Sequence, residues 1–143
     1  MYLFDTDILS HLAKKRRPAG LMEKLARTPR TSQFTSSINV AEIYFGIFRI
    51  ENREGVRPRR WECLLRFFED EVFARLNILS FDRESAKIYG RLKSKLESKG
   101  RMRFEPDLQI AAIALQYGLA VVTGNVRHFR EIPGLKVETW LES

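Results

Sequence analysis

The chain of 143 residues carries 25 Lys and Arg against 18 Asp and Glu, a formal net charge of +7, with 44% hydrophobic residues, two His and one Cys. A domain of about 150 residues buries roughly 70% of its unfolded surface, so this length suits one core and starves a second; residues 1–143 read as a single domain. The composition argues against disorder, and no run approaches the ~18 apolar residues of a membrane span. Asp5 and Asp7 stand where a signal peptide would be apolar, so a cytoplasmic protein with no membrane partner is expected. Cys63 with His11 and His128 makes neither a disulfide nor a zinc cluster. Any metal must therefore be a hard, oxygen-liking ion, and the basic surplus makes a polyanion the first partner to consider.

In chain order, short apolar runs alternate with helical patterns. Strands are expected at Tyr2–Asp5, Gln33–Ile38, Leu76–Ser80, Ala120–Thr123 and Lys136–Trp140. Most are apolar on both faces, as buried parallel strands are. Helices are expected at Thr6–Lys15, after Pro18, at Val40–Asn52, Pro58–Glu71, Asp82–Lys99 and Asp107–Tyr117, with a turn at Gly55 and stops at Gly100 and Gly118. Strands alternating with helices imply an α/β fold whose parallel sheet is covered on both faces. The pair Val40–Ile50 and Trp61–Phe68 is more apolar than one buried stripe requires. Either the core is thick, or one face serves a homodimer or a partner protein.

Four polar residues recur at one kind of place. Asp5 closes the first apolar run, Glu42 follows Gln33–Ile38, Asp107 follows Pro106, and Asn125 follows Val121-Val122-Thr123-Gly124. In a parallel sheet all strand carboxyl ends lie along one edge, where ligands bind. Three carboxylates gathered there repel one another unless a cation such as Mg²⁺ or Mn²⁺ sits among them. Simpler roles compete with this one. Asn39 and Glu42 match an N-cap with its reciprocal acid, Asp107 suits a helix dipole, Asp82 is most simply a cap, and Asn125 suits a cap or turn. Asp5 is the exception, because it ends a strand expected mid-sheet, where an unpaired charge is costly, and because Thr6 or Asp7 could cap the next helix.

Together the opening Tyr2-Leu-Phe-Asp5-Thr6-Asp7, Asn39-Val-Ala-Glu42, Phe81-Asp82 through Tyr89-Gly90, Asp107-Leu-Gln-Ile-Ala-Ala112, and Val121-Val-Thr-Gly-Asn125-Val-Arg-His-Phe129 with Pro133-Gly-Leu and Trp140 resemble PIN-domain proteins, specifically VapC-type toxins. The resemblance spans essentially the whole chain. It implies a three-layer α/β/α sandwich around a mainly parallel sheet of four or five strands. It also implies a metal-dependent ribonuclease, the toxin of a toxin–antitoxin pair, with RNA and a cognate antitoxin as partners. By the same resemblance Asp5, Glu42 and Asp107 are the acidic residues of a Mg²⁺ or Mn²⁺ site, with Asp5 and Asp107 as direct ligands. Asn125 stands where many such nucleases have Asp, and Thr6 where a hydroxyl is common within the pocket.

On that reading Glu42 would position a water or assist proton transfer, and Arg101, Arg103 and Arg127 are the cations best placed to meet phosphates. Competing readings remain. Phe4-Asp5-Thr6-Asp7 resembles the Asp-x-Asp opening of haloacid-dehalogenase-type phosphatases, with Asp5 as nucleophile, although Leu9 departs from that motif. A non-catalytic RNA-binding module of the same fold and a DNA nuclease are the others.

Overall fold

The computed structural model describes residues 1–54, 59–101 and 105–141. The expected turn at Gly55, the Pro58 helix start and Arg103 lie outside the described residues. The chain runs β1 (Tyr2–Phe4), α1 (Thr6–His11), α2 (Ala19–Arg27), β2 (Gln33–Ser36), α3 (Ser37–Glu54), α4 (Arg60–Phe67), β3 (Asn77–Leu79), α5 (Arg83–Ser98), α6 (Glu105–Tyr117), β4 (Ala120–Val122), α7 (Val126–Phe129) and β5 (Val137–Glu138). The five strands form one sheet in the order β3-β2-β1-β4-β5, and every neighbouring pair is parallel.

Alternation along each strand divides the core. Leu3 and Val121 face a cluster with Leu92, Leu96, Ile110, Ile113 and Phe129 from α5, α6 and α7. Phe4 and Val122 face the opposite cluster, with Ile8, Leu9, Leu21, Ile43 and Ile47 from α1, α2 and α3. Burying one such side chain contributes about 1.5–3 kcal/mol, so a shift of one residue in β1 or β4 would misplace both layers. The result is the expected α/β/α sandwich.

Local chemistry sets the boundaries. At Gly100 the backbone turns to φ 66. Arg101 N–H then reaches Leu96 O at 2.8 Å and Gly100 N–H reaches Glu97 O at 3.0 Å, which closes α5. The helix expected over Thr6–Lys15 ends at His11, and the next three N–H groups bond three residues back. The helix after Gly55 also departs from expectation. α4 passes at Phe68–Val72 into a wider π turn and at Phe73–Arg75 into a tighter 3₁₀ turn. That change of pitch turns Phe68 and Val72, each 5% exposed, into the core. The surplus of apolar residues therefore divides: Trp61, Leu64, Leu65 and Phe67 pack against the second cluster, whereas Phe45 and Phe48 stay 66% and 41% exposed.

The start of α3 corrects a second expectation. Asn39 is not the cap; the helix begins at Ser37. Ser36 Oγ accepts from Asn39 N–H at 3.2 Å while Asn39 Oδ1 accepts from Ser36 Oγ and Ser36 N–H at 2.5 and 3.3 Å, a reciprocal cap three residues upstream. Strand β2 is shortened accordingly, and Glu42 is released from any capping duty.

Candidate active site

The strand order places a switch point between β1 and β4: one connection leaves β1 toward β2, and another crosses from β3 to β4 on the far side. Loops beyond that point diverge and leave a crevice at the carboxyl edge. A cleft of about 520 Å³ lies there, lined by Asp5, Thr6, Asp7, Glu42, Asp107, Asn125 and His128, with Ser10, His11 and Lys14 of α1 and Pro106. A larger and more apolar cavity of about 670 Å³, lined by Leu12, Leu25 and Phe67 among others, contains none of these carboxylates; its one acid, Glu71, is paired with Arg75 at 3.4 Å.

Asp5 is the hub. Only 7% exposed, it caps α1, its Oδ1 accepting from Thr6 N–H at 2.9 Å and from Asn39 Nδ2 at 3.1 Å. Its Oδ2 accepts from the Thr123 hydroxyl at 2.8 Å. Thr6 and Asp7, which could have capped α1 without it, do not take that place. Thr6 instead donates its hydroxyl to Glu42 Oε1 at 2.6 Å and accepts from Asn39 Nδ2 at 3.0 Å. Asp7 Oδ2 accepts from Gly124 N–H at 2.8 Å, which ties the first turn of α1 to the loop after β4. Asp107 sits in the first turn of α6 with Oδ2 2.9 Å from His128 Nδ1. Asn125 begins α7 without a side-chain cap bond, and its N–H donates to Thr123 Oγ1 at 3.0 Å.

These acids disturb one another. Burial pushes Asp5 from 3.8 up to about 6; bonds from Thr123 and Thr6 oppose the rise, and the charges of Asp7 and Asp107 add to it. Burial also raises Glu42, with Asp107 and Asp7 adding and Thr6 opposing. Asp107 is raised by burial and by Asp7, against the pull of His128. Among the described residues no three acidic or imidazole groups already close into a cation cage. The donor set nevertheless suits a hard dication: carboxylate oxygens that repel one another, with Asp7 Oδ1 buried and without a hydrogen-bond partner.

A model of the PIN domain matches residues 2–135. The chain belongs to the PIN-domain family. Among curated relatives, it is 31% identical over 140 residues to the Haemophilus influenzae protein named ribonuclease VapC2, covering 98% of each. It is 32% identical over 127 residues to the Salmonella typhimurium tRNA(fMet)-specific endonuclease VapC, covering 88% of each. Among solved structures, VapBC-1 from nontypeable Haemophilus influenzae matches with a TM-score of 0.82 at 27% identity, covering 99% of this chain and 98% of that one. VapBC2 from Rickettsia felis, bound to a DNA fragment from their promoter, matches with a TM-score of 0.79 at 28% identity, covering 97% and 98%.

In this PIN-domain chain, then, Asp5, Thr6, Glu42, Asp107 and Asn125 do meet at one cleft. Arg127 lines the neighbouring cleft, whereas Arg101 lies 3.7 Å from Glu131 in an exposed ion pair. The sequence reading missed Asn39, Thr123, His128 and the Asp7–Gly124 link. Asn39 had a signal, a polar residue amid an apolar helical run, but the pattern assigned it to capping. His128 and Thr123 had none, since only the fold brings them to residues 21 and 118 positions away in sequence.

Proposed function

We propose that this chain is an endoribonuclease that hydrolyses RNA phosphodiester bonds with Mg²⁺ or Mn²⁺ at the strand-end cleft, and that it is the toxin of a toxin–antitoxin pair. The observation that carries the reading is the gathering of Asp5, Glu42 and Asp107, from three distant segments of a basic chain, at the switch point. The VapC names of its relatives support the substrate class, and the VapBC complexes among its structural neighbours support an antitoxin partner.

Asp5 and Asp107 would hold the ion, with Glu42 beside them. When bound, it supplies a Lewis acid that lowers the pKa of water and neutralises charge on the phosphate. The side chains do the rest. Thr6, Asn39 and Thr123 hold both Asp5 oxygens in a fixed orientation, so the carboxylate is preorganised. Thr6 occupies Glu42 Oε1, leaving Oε2 to orient a water and accept its proton. His128 orients Asp107, Asn125 offers an uncharged amide at the mouth of the cleft, and Arg127 meets a flanking phosphate. Phe45 and Phe48 on α3 supply apolar surface for a homodimer or the antitoxin. The phosphatase reading fares worse, because Leu9 departs from its motif and Val122-Thr123-Gly124-Asn125 carries no acidic pair after the strand.

The test is incubation of the purified chain and its Asp107→Asn variant with total RNA in Mg²⁺ or Mn²⁺, against a chelator, with the cut ends mapped. Discrete cleavage by the parent alone, and only with metal, is expected. Equal cleavage by Asp107→Asn, or cleavage that survives the chelator, would overturn the assignment; intact RNA bound in every arm would favour the non-catalytic module.

A further inference from the structure

Beside the acidic cleft lies a second one, of about 580 Å³, lined by Gly124, Asn125, Val126, Arg127, His128, Arg130, Val137 and Thr139. The two share Asn125 and His128 as a common wall, so they are adjoining compartments of one trough along the carboxyl edge. Their charges are opposite. The first gathers four carboxylates, and the second presents Arg127 and Arg130, with no carboxylate in its lining. Neither guanidinium is committed to an ion pair or side-chain hydrogen bond among the described residues, in contrast to Arg101 with Glu131 or Arg27 with Glu23.

Physical chemistry gives this arrangement a use. A polyanionic strand brought to the acids is repelled by them and needs cations close by, though outside the cleft where bonds are broken. Two helix-borne guanidiniums, one turn apart on the short α7 and its exit, form forks suited to phosphate oxygens. The Thr139 hydroxyl and the Asn125 amide add uncharged groups able to bond ribose or base edges. We infer that the Arg127–Arg130 cleft is a subsite for the backbone phosphates of single-stranded RNA that flank the reacting bond. An acidic peptide offers the same charge but gives no reason for the shared wall with the carboxylate cleft. The inference rests on the proposed ribonuclease reading and extends it to the path of the strand.

The experiment measures binding without turnover. A short, mixed-sequence, end-labelled single-stranded RNA is titrated with the Asp107→Asn chain in Mg²⁺ over a range of salt, by fluorescence anisotropy. The same titration is run with Arg127→Gln and Arg130→Gln added, and with Arg83→Gln and Lys87→Gln added on the exposed face of α5 as a charge-matched control. Circular dichroism verifies folding. The expected result is a salt slope shallower by about 0.7 for each phosphate left without its guanidinium, hence by about 0.7–1.4 for the cleft pair, with affinity weakened about tenfold or more at low salt and the control pair little changed. Equal weakening by the two pairs, or no change of slope in the cleft pair, would overturn the subsite and leave the ribonuclease reading intact. Failure of the Asp107→Asn chain and of the parent to bind RNA at all would overturn both.

Discussion

Two carboxylates of this chain occupy the same local position and behave in opposite ways. Asp5 caps α1 and Asp82 caps α5, each accepting from a backbone N–H of its own helix. Asp82 is at the surface, and bonds from Ser85 N–H and then from Gln116 hold its carboxyl below the usual range. Its bond from Ser85 N–H is returned by Asp82 N–H donating to the Ser85 hydroxyl, which completes a capping box, and its other oxygen accepts from Gln116 Nε2 at 3.3 Å. Asp5 is buried beside Asp7, Glu42 and Asp107, and is pushed up to about 6 in spite of its three hydrogen bonds. The helix N-cap thus says little about function. What separates the two is burial first, and then the other negative charge that the fold brings beside Asp5.

The contrast is broken most directly by substitution. Asp5→Asn should lower metal-dependent RNA cleavage by at least about a hundredfold with the fold retained, whereas Asp82→Asn should leave cleavage near the parent rate; cleavage assays beside thermal melts decide it. If both variants lost activity equally, the distinction would fall. Gly124→Ala should come next. A Cβ there would lie 2.6 Å from Asp7 Oδ2 and 2.8 Å from Leu141 Cδ1, so either the Asp7 carboxylate leaves Gly124 N–H or the loop carrying Asn125 gives way. Cleavage should drop about ten- to a hundredfold, and a Gly124→Ala chain with parental kinetics would show the link to be dispensable.

The pH dependence sharpens the comparison. Between 3.8 and about 6 the native state keeps a proton on Asp5 that the unfolded chain has released. The contribution of Asp5 to metal-free stability should therefore be full below the ordinary value and be lost as pH rises through about 6, by up to about 3 kcal/mol. Glu42 and Asp107 act in the same sense. Under the proposed mechanism, in which Asp5 acts as a charged ligand, cleavage should follow the opposite course and rise through the same window. Urea unfolding with chelator from about pH 4 to 8, for the parent and Asp5→Asn, tests the sign; a slope that Asp5→Asn leaves unchanged would refute it. Thr123→Val should have a smaller effect. It removes a buried donor to Asp5 and an acceptor from Asn125 N–H, costing about 1–3 kcal/mol and moving the acid limb of the cleavage profile upward. The least change is expected from Asp82→Ala, a modest drop in melting temperature from the missing cap with an unaltered pH profile.

Much of the architecture was legible beforehand because its signals are local. Buried parallel strands are apolar on both faces, Gly100 and Gly118 mark helix ends, and Asp82 with Ser85 makes a cap from neighbours in sequence. The misreadings arose where two local patterns competed. Asn39-Val-Ala-Glu42 and Ser36-Ser-Ile-Asn39 are both plausible caps, and burial of Asn39 against Asp5 and Thr6 decided for the second. In the same way the change of pitch at Phe68 depends on the core that receives it, which no window of the sequence contains.

The sequence by itself determined the class of fold, the five strands, the family likeness and the acidic residues Asp5, Glu42 and Asp107, because hydrophobic period, turn residues and charge are properties of the chain read in order. Only the tertiary structure decided that Glu42 answers to Thr6 rather than to a helix cap, that Asn39 and Thr123 hold Asp5, that His128 stands on Asp107, and that Arg127 and Arg130 line an adjoining cleft. Those relations depend on burial and on distances between groups up to 118 residues apart in sequence, and they exist only once β1 lies between β2 and β4.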